Sequence, residues 1–216
     1  MRLFKLIQQD RYHILLASLL VFFLSIAAIT KDTWYTKLII SLGLAIILVA
    51  GINTLQKRSL KRLGWVVAIL FVTLNIIHNI HPIPFLHLTS FLLFIGLLSF
   101  VEIGIIRMLI LAKSVKPSFI IGSIAGYLLI SLNLAFFILT IDGVILGHAL
   151  SVPIREIGFH GILYHALITT TTVGFGDVVP AHPFVQMVSA LAAVLAQFYI
   201  AVVVAVIVSK LLRRNA

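Results

Sequence analysis

The chain has 216 residues, 62% of them hydrophobic and only 10% charged, with a mean hydropathy of +1.21. That is too little polar material to cover a water-soluble exterior, so the composition excludes a soluble domain and points to an integral membrane protein. The net charge of +10 sits in short basic runs between apolar blocks, a pattern that encodes topology rather than nucleic-acid binding.

A helix needs roughly 20 apolar residues to cross a hydrocarbon core of about 30 Å. Blocks of that kind run near 13–30, 37–55, 63–80, 84–112, 118–141 and 183–209, which predicts six crossings and an all-α protein. Residues 1–28 have the general make-up of a signal peptide, but the apolar run is longer than most such cores and reads as a retained crossing. Thirteen of the sixteen lysines and arginines fall in the tail before the first block, in the second and fourth connections and after the last block. Only Lys31, Lys37 and Arg155 fall on the opposite side. The positive-inside rule then sets both termini in the cytoplasm and residues 142–182 outside.

The fourth block is too long for one crossing and holds Glu102 and Arg107, each costing about 3 kcal/mol at mid-bilayer. A crossing that ends at 101, followed by an interfacial linker helix over 102–117, avoids both difficulties. Pro117 then opens the fifth crossing at a tolerated position. The domain reading is a four-helix region over 1–101, the linker over 102–117 and a pore-like region over 118–216.

Between the fifth and sixth crossings lies "LYHALITTTTVGFGDVVP". Its apolar part is too short to span and is followed by glycine-punctuated backbone, which reads as a re-entrant loop. Irregular backbone at membrane depth is tolerated only where protein or water satisfies it. Gly174 and Gly176, two apart, allow consecutive carbonyls to turn to one side, and the Thr172 hydroxyl adds another oxygen. One strand cannot encircle an ion, so several copies must meet on an axis, four being the natural number.

Residues Thr169 to Asp177 resemble the potassium-channel signature Thr-x-Thr-Thr-Val-Gly-(Tyr or Phe)-Gly-Asp at every defined position. In such channels four loops replace the hydration shell of potassium with backbone carbonyls. The resemblance implies a homotetramer of the cytoplasmic membrane, each copy with three identical partners and surrounding lipid. It implies a filter at Thr172, Val173, Gly174, Phe175 and Gly176. Potassium ions are bound at the first four of these, with no organic cofactor. It also implies that Asp177 lies behind the outer mouth. The likeness extends over about 118–212, where "AQFYIAVVVAVIVSKLL" is similar to the inner helix of prokaryotic members. The function implied is passive potassium conduction. A weakly selective cation channel and a non-conducting regulatory subunit are the alternatives.

Four departures from that pattern matter. Residues 84–101 contain no lysine or arginine, so strong voltage gating is not expected, because each charge moved through 100 mV is worth only about 2.3 kcal/mol. No nucleotide- or calcium-binding domain follows the last block within these residues, which leaves gating to a partner, lipid, pH or the pore itself. Ala196 stands before Gln197 where relatives often carry glycine, which either moves gating to the filter or to rigid tilting, or has no consequence. Tyr164 and His165 stand where relatives carry paired aromatics, and Phe175 lacks a hydroxyl. Tyr164 or His165 is therefore expected to hydrogen-bond Asp177 and hold the filter.

His148, His160, His165 and His182 fall in the outer region, either as structural groups or as sites where external acid acts. His78, His81 and His87 cluster without acidic or thiolate co-ligands, and the absence of cysteine removes thiolate sites and nucleophiles altogether. Asn75 and Asn133 are expected to bond neighbouring helices, and Gln197, with Ala196 a candidate for gating in the inner helix, either to do the same or to line the ion path. Enzyme readings fail because no paired aspartates, serine–histidine couple or zinc-protease motif is present.

Overall fold

Uninterrupted apolar runs bounded by proline, glycine and charged clusters form helices, because only a helix satisfies its own backbone without water. The computed structural model describes residues 10–28, 34–80, 84–112, 117–144 and 149–215. Seven helices follow one another there: α1 Arg11–Ala27, α2 Trp34–Thr54, α3 Arg58–Ile80, α4 Pro84–Leu111, α5 Pro117–Val144, α6 Ile154–Thr170 and α7 Pro183–Asn215. Among the described residues there is no strand, only an isolated bridge between Leu150 and Pro180.

Among the described residues three spans are long and apolar enough to cross a membrane: Leu88–Leu111, Pro117–Val144 and Pro183–Lys210. Arg11–Ala27 and Leu38–Thr54 are shorter apolar helices. The other predicted crossing, 63–80, lies in α3, which opens with Arg58, Lys61 and Arg62 just before it.

α1 buries Tyr12, Leu15, Leu19, Phe22 and Ile26, a stripe spaced three or four residues apart as a one-sided helix requires. That stripe packs on α2 and α5, while α3 and α2 pack on α4, and α4 lies along α5. A run of phenylalanines joins these layers to α6. Phe71 meets Phe94 at 5.1 Å between ring centroids, Phe94 meets Phe136 at 4.5 Å, and Phe136 meets Phe159 at 5.4 Å. Tilted aromatic contacts of this kind add about 1 kcal/mol each beyond their buried area.

The expected break at residue 102 is absent. α4 continues unbroken to Leu111, about 42 Å at 1.5 Å per residue, and no separate helix occupies 102–111. The carboxylate that argued for a break has a partner: Asn133 Nδ2 on α5 donates to Glu102 Oε1 at 2.8 Å and to Ser99 Oγ at 3.3 Å. An interhelical hydrogen bond thus offsets part of the cost that made a break attractive. Residues 113–116 lie outside the described residues.

Candidate functional site

α6 is two pieces. Gly158 at φ 58 breaks it after one turn, and the remaining helix runs to Thr170, where the threonine stretch begins. Of that stretch, Thr170 Oγ1 donates back to Ala166 O at 2.9 Å, and Thr171 Oγ1 donates to Leu167 O at 2.7 Å. Both hydroxyls are thus engaged in finishing the helix. Its C-terminal end carries partial negative charge, which favours a nearby cation, and the signature segment starts there.

From Thr172 onward the backbone alternates. Thr172, Gly174 and Gly176 have φ of 61, 54 and 79, and the residues between them do not have positive φ. Every second residue in the left-handed region is a backbone alternation that neither a regular strand nor a regular helix has. Glycine takes such angles freely. Threonine does so only against strain of about 1–3 kcal/mol, of the kind held at functional sites by surrounding contacts. Sequence reasoning assigned this role to the two glycines and missed that Thr172 shares it. Gly174 N–H closes the turn by donating to Ile168 O at 3.0 Å. Residues 171–177 are exposed on this chain, with Phe175 73% accessible. Its side chain therefore lacks the intrachain support that an aromatic cuff would supply.

Two layers hold the segment. On the outer side, Tyr164 Oη donates to Asp177 Oδ2 at 2.8 Å, and Asp177 Oδ1 accepts the Val178 N–H at 3.0 Å. These donors hold the Asp177 carboxyl below its ordinary range, the tyrosine first, and the same bond raises the Tyr164 hydroxyl. His165 does not reach Asp177. It is 3% exposed, and its Nδ1 lies 3.0 Å from Val178 O. An acceptor there requires Nδ1 to carry the proton, which leaves Nε2 an acceptor, buried and unpartnered. Burial lowers the His165 pKa, the hydrogen bond to Val178 and the charge of Asp177 opposing this. The segment beyond is tied down by Ser151 N–H to Val179 O at 2.7 Å and Ala181 N–H to Ala149 O at 2.9 Å.

On the inner side, α5 supplies a clamp that sequence reasoning did not find. Tyr127 Oη donates to Thr170 O at 2.8 Å, and Ser131 Oγ lies 2.6 Å from Thr170 Oγ1. Both partners are some 40 residues away along the chain, and the only sequence signal is a polar pair at i and i+4 in an apolar helix. Tyr199 of α7 donates to Ser123 O at 2.9 Å. An added Cβ at Gly126 would overlap its hydroxyl, so glycine there lets α5 and α7 approach.

The remaining expected residues are more scattered. Ala196 is fully buried within unbroken α7, and Gln197 beside it is exposed. Asn133 does bond a neighbouring helix. His182 Nδ1 accepts the Phe184 N–H at 3.2 Å and so caps the start of α7. His160 is exposed. His81 and His148 lie outside the described residues, as do the side chains of Asn75, His78 and His87. Among the described residues no group of three or more His, Asp or Glu is placed to hold a metal ion.

Residues 123–213, from the first turns of α5 to the end of α7, match a family model described as an ion channel. Searches of curated proteins and of solved structures returned no match. The match contains the signature segment and both layers that hold it, and it leaves α1–α4 outside. The matched stretch holds two of the helices long and apolar enough to cross a membrane, α5 and α7, so structure and comparison agree on likeness to a membrane-embedded ion channel over 123–213.

Proposed function

We propose that the chain is one subunit of a homotetrameric potassium channel of the cytoplasmic membrane, with six crossings and both termini cytoplasmic. The observation that carries this is the alternation of positive φ at Thr172, Gly174 and Gly176 within a sequence resembling the potassium-channel signature. Carbonyls of Thr172, Val173, Gly174 and Phe175 from four copies replace the water around a dehydrated potassium ion. Potassium moves passively down its gradient, with no bond made or broken. The α6 C-terminus favours the cation electrostatically, and Tyr164, His165 and Asp177 keep the segment in shape from outside. The segment before Glu102 in α4 has no basic residue, so the conductance varies weakly with voltage.

Purified protein in planar bilayers under opposed potassium and sodium gradients tests this. A reversal potential near the potassium equilibrium value is expected. A potential midway between the two ions points to a weakly selective cation channel instead. An absence of current from protein that is tetrameric in solution points to a regulatory subunit. A steep conductance–voltage curve that survives Arg107→Gln contradicts the voltage-insensitive reading.

A further inference from the structure

A cleft of about 520 Å³ opens between α4, α5 and α7, within the range of sites that take small organic ligands. Its walls are apolar, among them Ile106, Phe137, Leu195 and Phe198, and polar groups enter only from Ser99, Glu102, Asn133 and Tyr199. Tyr199 gives its proton to Ser123 O. Asn133 Nδ2 is shared between Glu102 and Ser99, and Asn133 Oδ1 has no hydrogen-bond partner. Among the described residues the sole ion pair is His13 with Asp10, so Glu102 has no cationic partner. The wall contributed by α7 is open, with Leu195 and Phe198 more than half exposed.

A carboxyl in a membrane-spanning helix, facing an apolar cleft, is expensive unless a counter-charge or a proton neutralises it. The amide oxygen beside it also needs a donor. Among the described residues no cation pairs with Glu102 and no donor is bonded to Asn133 Oδ1, so a proton on the carboxyl or a group from outside the chain must meet them. A primary ammonium supplies both, since it carries one positive charge and three N–H groups, and an attached hydrocarbon chain fits the apolar walls. An alcohol supplies a single donor and no charge.

We propose that this cleft is a binding site for a membrane-dissolved amphiphile with a primary ammonium head, seated on Glu102 and Asn133, with its alkyl chain along α4 and α7. The site is separate from the signature segment, and it requires only that the chain be embedded in a membrane.

The test is native mass spectrometry of the full chain released from a non-ionic detergent, titrated with dodecylammonium and, separately, with dodecanol. Wild-type protein is expected to bind dodecylammonium at least tenfold more tightly than dodecanol. Glu102→Gln, which keeps a hydrogen-bonding side chain but removes the charge, should erase that preference and leave dodecanol binding unchanged. If Glu102→Gln does not fold, Ile106→Trp, one turn along the same wall, should weaken both probes by narrowing the cleft. Competition of dodecylammonium by phosphatidylethanolamine but not phosphatidylcholine marks a lipid headgroup as the natural ligand. Competition by neither marks a free amine. Equal wild-type affinity for the two probes, or dodecylammonium binding unchanged by both variants, overturns the proposal.

Discussion

α5 and α7 are both long apolar helices, yet in an 18-residue apolar stretch of each, 56% of the α5 residues are buried inside the chain and only 11% of the α7 residues. α5 is the post of the molecule, touching α1, α4, α6 and α7. Its buried positions include Gly122, Ser123, Ala125, Gly126, Ser131 and Ala135, small residues that let neighbouring backbones come close. α7 touches α6 and α5 most and α4 less, and it exposes Leu191, Val194, Leu195 and Phe198. Equal apolarity thus covers two different tasks. α5 fixes the signature segment through Tyr127 and Ser131, whereas α7 turns large side chains outward, Leu195 and Phe198 among them into the cleft it shares with α4 and α5.

The sharpest way to break this division is at the segment itself. Gly174 has open space where a Cβ would go, so Gly174→Val acts through backbone angle alone. A β-branched residue at φ 54 is strained by about 1–2 kcal/mol in every copy. Potassium selectivity in bilayers is expected to collapse, while the melting temperature stays within a few degrees because the segment is exposed. Wild-type selectivity in this variant would mean that the alternation is not what conducts.

The next largest effect lies in the α5 clamp. Ser131→Ala leaves the buried Thr170 hydroxyl with only its bonds inside α6, a loss of about 1 kcal/mol. Ser123→Ala removes a bond that α5 makes only within itself and should cost less. If thermal unfolding ranks the two the other way, α5 is not holding α6 as described.

What the sequence revealed divides along the same line. The positions of six long apolar runs and of the short helix before the signature were legible because hydropathy and length are local. Gly174 and Gly176 were legible because glycine announces its backbone freedom. Thr172 was not, since threonine rarely takes a positive φ and nothing in its identity signals one. The clamp from Tyr127 and Ser131 was hidden by distance along the chain. The same blindness produced the expected break at Glu102: a charge was weighed alone, while its partner Asn133 stood 31 residues away.

pH separates the outer pair from both helices. Asp177 is held below its ordinary range by Tyr164, so its contribution is present at and above the usual carboxylate pKa and is lost as pH falls through the lowered value. Tyr164→Phe should therefore move the acid end of the current–pH curve upward, toward an unperturbed carboxylate. His165 is held neutral by burial. Its contribution to stability is full above the ordinary histidine value and falls as pH drops from there through the lowered one. His165→Phe should flatten stability against pH across that mildly acidic window and leave the Asp177 limb in place. Identical pH curves for wild type and both variants would show that neither residue supports the segment.

The smallest expected effect concerns how α7 is tied to the rest. Lys210 Nζ donates to Ile110 O at 2.9 Å and also to Leu109 O, carbonyls in the last turn of α4 that have no partner within their own helix. A cation at that end also meets the negative pole of the α4 dipole, worth about 0.3–1 kcal/mol. Besides the cleft, this bond is a link between the four-helix region and the far end of α7, the helix with the least internal support. Lys210→Gln keeps a donor and loses the charge, whereas Lys210→Met loses both. Melting temperature should fall by a degree or two for methionine and by less for glutamine. If α4 steadies the end of α7, single-channel dwell times should shorten in the same order. Unchanged dwell times in both variants would assign α4 a purely structural part and leave α7 to move independently of it.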